Sequence, residues 1–207
     1  MSTMSSVEST IIVGPKKLTS FLMFEAAIYW AEEGHRVIYI APKRLESPQL
    51  SHHDRSTTNS ESFQLMQFMY LSNYETLVEQ LADLHRFASK PSVLILEDLD
   101  NYIQDPDVKE TKEVHIARLC ALLVDTMNVC AAILQQQVHI CVSISSECDV
   151  IYQIYFNNFW SIEKQNNGMV KLKEVASNRA TNKTFEYREC DDDNTGTLLV
   201  LNQIFRN

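Results

Sequence analysis

The chain has 207 residues, a formal net charge of −9 and 45% apolar residues. That length suits one domain with a sizeable core. That charge excludes a surface that grips nucleic acid over its whole extent, although a local basic strip remains compatible with it.

Met1 to Thr10 is rich in Ser and Thr, with neither a basic start nor an apolar run. It predicts a disordered tail (1–10) ahead of a domain over 11–207, with no signal peptide. Ile11–Val13 is a short apolar run, which suits a strand buried on both faces. A helix follows from Thr19 to about Glu33 and stops at Gly34. Val37–Ala41 forms a second strand, ended by Pro42. Residues 46–62 are polar, carry Pro48 and predict an exposed loop. Leu65–Leu71 predicts a strand, and Asn73 caps a helix from Tyr74 to about Phe87. Pro91 opens the strand Val93–Leu96, which ends in Glu97-Asp98. An acidic loop from Asp100 to Asp107 leads to the longest helix, about Lys112 to Gln136, and Val138–Ser145 returns as a strand. From Trp160 onward short strands flank the turn signals Asn166-Asn167-Gly168 and Asn194-Thr195-Gly196. Alternating strands and helices predict an α/β fold, a mostly parallel sheet with helices on both faces, finished by antiparallel C-terminal strands at one edge.

Glu25 and Asp125 interrupt the longest apolar stretches, so no membrane partner is expected and the chain reads as soluble and intracellular. The cysteines, Cys120, Cys130, Cys141, Cys148 and Cys190, contain no Cys-x-x-Cys pair and read as reduced thiols rather than zinc ligands. His52-His53 lies in a polar run without helical i, i+4 spacing, so no metal site is expected there.

The segment from Ile11 to Ser20 has the layout of a phosphate-binding loop: apolar strand, Gly14-Pro15 turn, helix with hydroxyls in its first turn. A working loop reads G-x-x-x-x-G-K-[ST], in which backbone N–H groups wrap the phosphates, the Lys neutralises them and the hydroxyl ligates Mg²⁺. Here the spacing is short, the second Gly is absent and Leu18 stands before Thr19. One charge-assisted hydrogen bond is worth about 1.5–3 kcal/mol, so loss of the phosphate lysine alone weakens binding roughly ten- to a hundred-fold. The candidate nucleotide-binding residues are Gly14, Lys16, Lys17, Thr19 and, as the strand-end carboxylate that could hold Mg²⁺, Glu97. ATP and Mg²⁺ are therefore expected to bind weakly or not at all, and no residue is assigned a catalytic role.

Lys164 to Lys183 carries Lys171, Lys173, Arg179 and Lys183, with the single acid Glu174. Lys171 and Lys173 share one face of a strand, along which a phosphate backbone could lie. Phe24-Glu25-Ala26-Ala27 fits Phe-x-x-Ala, a pattern that recombinase partners use to dock; on an apolar helix it reads as core.

The order of elements resembles the RecA-type ATPase core of recombinases and their paralogues. More closely, the chain resembles the SWIM-domain-associated family of the metazoan Shu complex. The resemblance rests on Gly14-Pro15 with its helix, on Val37 to Leu45, on Ser92 to Ile103 (which contains Leu-Glu-Asp-Leu-Asp-Asn-Tyr-Ile), on Ala121-Leu122-Leu123-Val124-Asp125-Thr126 and on Tyr155 to Trp160. It implies a RecA-like subunit that pairs as a heterodimer with a SWIM zinc-finger protein. Such a subunit supports recombinase filaments on single-stranded DNA in nuclear homologous recombination repair, meiotic as well as mitotic. Members are DNA-stimulated ATPases. This chain departs from them in its short loop, in Glu97 where Asp is usual, and in Ser145 where RecA-like proteins often place a nucleotide-sensing Gln. The sequence thus points to an adaptor of recombinase or its paralogues. A weak ATPase of the same fold and an unrelated α/β interaction module are the alternatives.

Overall fold

The computed structural model describes residues 6–45, 60–166, 168–175, 183–192 and 196–206. In chain order its elements are β1 Val7–Val13, α1 Lys16–Glu32, β2 Val37–Ala41, α2 Ser60–Phe63, β3 Met66–Tyr70 and α3 Tyr74–Asp83. They continue with β4 Val93–Leu96, α4 Leu99–Ile103, α5 Lys112–Leu134, β5 Val138–Ile144 and α6 Tyr152–Tyr155. The chain then runs through β6 Asn158–Lys164, β7 Met169–Glu174, β8 Lys183–Asp192 and β9 Gly196–Arg206.

The nine strands among the described residues join one sheet in the order β3-β2-β4-β5-β1-β6-β7-β8-β9. From β3 to β6 every pairing is parallel, and from β6 to β9 every pairing is antiparallel. β2 and β4 are buried at every position, the pattern of strands covered on both faces. Alternation then divides their side chains between two cores. Val37, Tyr39, Val93 and Ile95 face α1, together with Ile12, Cys141, Ile162 and Val170. Ile38, Ile40, Leu94 and Leu96 face the layer of α3, α4, α5 and α6. Phe24 and Ala27 of the Phe-x-x-Ala pattern are buried in the first of these cores, as expected for a core helix.

Four expectations are corrected. The tail is shorter: β1 begins at Val7 and pairs Val7 with Val138. Val7 and Ser9 turn inward, and the Ser9 hydroxyl donates to Tyr155 O at 2.9 Å, so a polar position is accommodated inside the strand. The first helix starts at Lys16, not Thr19, because Pro15 fixes a φ suited to the residue just ahead of a helix. Residues 60–62 of the expected exposed loop belong to α2 and Ser62 is buried, while 46–59, including His52-His53, lie outside the described residues. The acidic loop begins as α4, and Asp100 is buried. Its carboxylate accepts from Ser145 N (2.6 Å), Ser146 N (3.0 Å) and Ser146 Oγ (2.6 Å). That clamp ties the end of β5 to α4.

By length and composition α5 is apolar enough to cross a membrane. Here Ile116, Leu119, Leu123 and Met127 pack on the sheet, and Arg118 and Asp125 are exposed on the outer side. Cys120, Cys130 and Cys141 are buried free thiols, whereas Cys148 is exposed.

Burial pushes the Cys120 and Cys141 thiols from the ordinary 9.0 up to about 12. The folded chain therefore holds more protons than the unfolded one across that interval, so the stability these thiols contribute is complete below 9.0 and declines toward 12. Denaturant midpoints should fall with rising pH through this window, and less steeply in Cys120→Ala/Cys141→Ala. Equal slopes in the two proteins would refute the assignment.

Candidate functional site

The mouth of the sheet at the C-terminal ends of β1 and β4 is where open α/β sheets place ligands. Between Val13 and Lys16 there are only two residues, Gly14 and Pro15. The Gly14 N–H donates to Ile144 O at 3.0 Å and so continues the β1–β5 pairing. Pro15 has no N–H to offer. The Pro15 carbonyl accepts from Leu18 N and Thr19 N, at 2.9 and 3.0 Å. The backbone thus passes from sheet to helix without the wrapped turn that surrounds a phosphate.

Gly14 has a packing role instead. A Cβ at this position would lie 2.7 Å from Cβ of Ile162, closer than two carbons can approach. Its glycine is what lets β6 close against the end of β1.

The structure brings most of the candidate nucleotide residues together but engages them with other groups of the chain. Lys16 Nζ lies 2.5 Å from Asp98 Oδ2, with the lysine 56% and the aspartate 11% exposed. Thr19 is buried, and its hydroxyl donates to Lys16 O at 3.0 Å within its own helix. Glu97 is 5% exposed. It accepts from the Tyr39 hydroxyl at 2.7 Å and from the Ser20 hydroxyl. Burial, with the neighbouring Glu97 carboxylate, raises the Tyr39 pKa, so the phenol stays protonated and remains a donor. Lys17 is exposed on the first turn of α1.

Asp98 itself has φ 57° and ψ 58°, the left-handed region that a non-glycine residue enters at a cost. Its N–H donates to Ser143 Oγ at 2.9 Å, and its carboxylate meets Lys16. Ser20, Tyr39, Asp98 and Ser143 were not singled out from the sequence as site residues. Ser20 and Asp98 were within sight, as the hydroxyl after Thr19 and the acid after Glu97. Nothing in a buried strand marks Tyr39 or Ser143.

The candidate DNA strip is also internally paired. Lys173 Nζ lies 2.6 Å from Glu163 and Lys171 Nζ 3.6 Å from Glu186, so acids from β6 and β8 flank the β7 lysines. The run from Lys164 to Lys183 holds one acid, Glu174, but the charges meet across strands, where Glu163 and Glu186 stand beside the lysines. Lys183 is exposed at the start of β8, with its backbone N–H directed to Glu174 at 3.3 Å. Arg179 lies outside the described residues.

No protein-family model matches the chain, and no curated protein matches it. Among solved structures it is similar to the RadB recombinase, with a TM-score of 0.68 at 12% identity over 93% of this chain and 90% of that one. It is also similar to a DnaB-like replicative helicase, solved to show its interactions with primase, with a TM-score of 0.60 at 7% identity over 94% of this chain. The match spans 59% of the helicase chain. These likenesses show the fold, a RecA-like α/β domain, in agreement with the sequence reading.

Gly14→Ala should destabilise the domain by about 1–3 kcal/mol through overpacking. The same loss should persist in an Ile162→Val background, because valine keeps the obstructing Cβ. Urea unfolding measures both, and a neutral Gly14→Ala would show that the turn has room to move. The double change Lys171→Glu/Lys173→Glu should lower stability by setting four carboxylates side by side. It should leave single-strand DNA affinity and its salt slope unchanged. A slope that drops by about 0.7 for each lysine replaced would restore the strip as a phosphate contact.

Proposed function

We propose that this chain is a RecA-like adaptor without nucleotide chemistry. In this reading it pairs with a SWIM zinc-finger protein and supports recombinase filaments on single-stranded DNA during homologous recombination repair in the nucleus. The observation that carries the first part is the closure of the strand-end site. Gly14 N–H, Lys16, Thr19, Ser20 and Glu97 are each engaged within the chain. A triphosphate would have to break the Lys16–Asp98 pair and would still find no loop of N–H groups. A metal would have to take Glu97 from two hydroxyl donors, each hydrogen bond to the charge being worth about 1.5–3 kcal/mol.

Similarity of fold to the RadB recombinase supports the recombination setting. The SWIM-domain partner follows from the segments Ser92 to Ile103 and Ala121 to Thr126, which carry the family resemblance. A RecA-like body that has lost its chemistry still offers a large rigid surface, and binding to a filament or a second subunit needs only that surface.

Calorimetry with ATP and Mg²⁺ should give no saturable heat, with Lys16→Ala and Lys17→Ala indistinguishable from the parent. Micromolar binding that disappears in Lys17→Ala would replace the adaptor by a weak ATPase. Co-expression with a SWIM-domain protein should yield a complex that survives gel filtration. Separate elution of two folded proteins would overturn the partnership while leaving the nucleotide result intact.

A further inference from the structure

A cavity of about 390 Å³ opens between the start of α3, the α4–α5 connection and the first turns of α5. It takes no part in the site built on Lys16 and Glu97. Its wall includes His115, 1% exposed. The His115 Nε2 lies 2.9 Å from Tyr102 O. A carbonyl only accepts, so Nε2 carries a proton, and in the neutral imidazole Nδ1 presents a lone pair. That Nδ1 is buried and has no hydrogen-bond partner. Such an atom costs stability unless a donor completes it.

The remaining walls say what kind of donor fits. Four carboxylates, Glu75, Asp105, Asp107 and Glu110, line the cavity against two cations, Lys109 and Arg118. Arg118 is already spent on Glu110. Asp105 holds the frame, accepting from Tyr74 N at 2.8 Å and from Asp107 N at 3.0 Å. The Glu75 and Asp107 carboxylates are exposed, with no hydrogen bond or ion pair among the described residues. The Tyr74 ring packs at 71° to the imidazole, centroids 4.4 Å apart, and adds an aromatic wall that favours a cation.

We propose that this cavity binds a cationic hydrogen-bond donor of the guanidinium or ammonium class. The cation pairs with Glu75 and Asp107 at the rim, and one N–H completes Nδ1 of His115. The same chemistry is carried by a free small cation and by a basic side chain of a partner protein. The inference is independent of the adaptor reading, because it uses none of that site's residues.

The probes are N-acetyl-arginine amide, its uncharged isostere N-acetyl-citrulline amide, and an unstructured peptide with one arginine, each titrated into the full chain by NMR. The arginine amide should bind saturably and shift the His115 ring resonances, with citrulline about tenfold weaker, the loss of one charge-assisted contact. Glu75→Gln/Asp107→Asn, confined to exposed side chains, should weaken arginine about tenfold with the fold intact. His115→Phe should remove the remaining specificity for a donor, and if that variant fails to fold the carboxylate variant decides. A peptide that binds more tightly than the amide assigns the site to a partner's side chain, and equal affinities assign it to a small cation. Citrulline binding as well as arginine, no saturable shift, or an unaffected carboxylate variant would each overturn the proposal.

Discussion

The two-residue span from β1 to α1 is the constraint from which the rest of the strand-end site follows. A phosphate cradle needs several residues whose N–H groups point inward. Gly14 and Pro15 supply one N–H between them, and β5 already holds it. An abrupt turn also starts α1 at Lys16, three residues earlier than expected, and so fixes which residues of the helix face inward. Leu18 and Thr19 are buried under the helix, while Ser20 is carried against the end of β4. On the other side of the same turn, Gly14 lets Ile162 of β6 pack at a distance no side chain would permit. One short connection therefore closes the mouth and joins the parallel core to the antiparallel extension.

A buried carboxylate at that mouth would be costly if left unpaired, by several kcal/mol. Glu97 avoids that cost through Tyr39 and Ser20, donors from β2 and α1. In an active nucleotide site the acid at this place is kept available for a metal and water. Here the donors come from elements that cannot withdraw without disturbing the core, since Tyr39 is fully buried beside Phe68. The carboxylate thereby serves as a packing element that joins β2, β4 and α1. Its neighbour Asp98, with Lys16, covers the opening from outside.

Much of this was legible from the residues, and the failures share a cause. Continuous apolar runs gave β2 and β4 directly, because burial on both faces leaves no other composition. Asn73 was read correctly as a cap: its side chain accepts from Thr76 N at 2.9 Å. The start of α1 was misplaced because Lys16-Lys17 looks like a solvated turn, although Pro15 preorganises the helix before them. Asp100 looks like a loop acid because nothing local reveals that Ser145 and Ser146 return beside it. The neutralised lysines of β7 escaped for a similar reason, their partners lying on neighbouring strands. Linear spacing records what one element does; pairing between elements is set by topology, which the spacing does not contain.

Asp98 shows how such a site persists as structure. Its left-handed backbone costs about 1–3 kcal/mol. Two bonds offset that cost. The Ser143 hydroxyl accepts its N–H, and Lys16 meets its carboxylate. Glycine at this position would relieve the backbone but lose the lysine, and Lys16 would then stand uncompensated over the helix start, where the positive end of the dipole disfavours a cation. The strain is thus held by the same ion pair that closes the mouth. Opening the site to an anion and relaxing the backbone therefore go together, because the ion pair that closes the mouth is the one that offsets the strained turn.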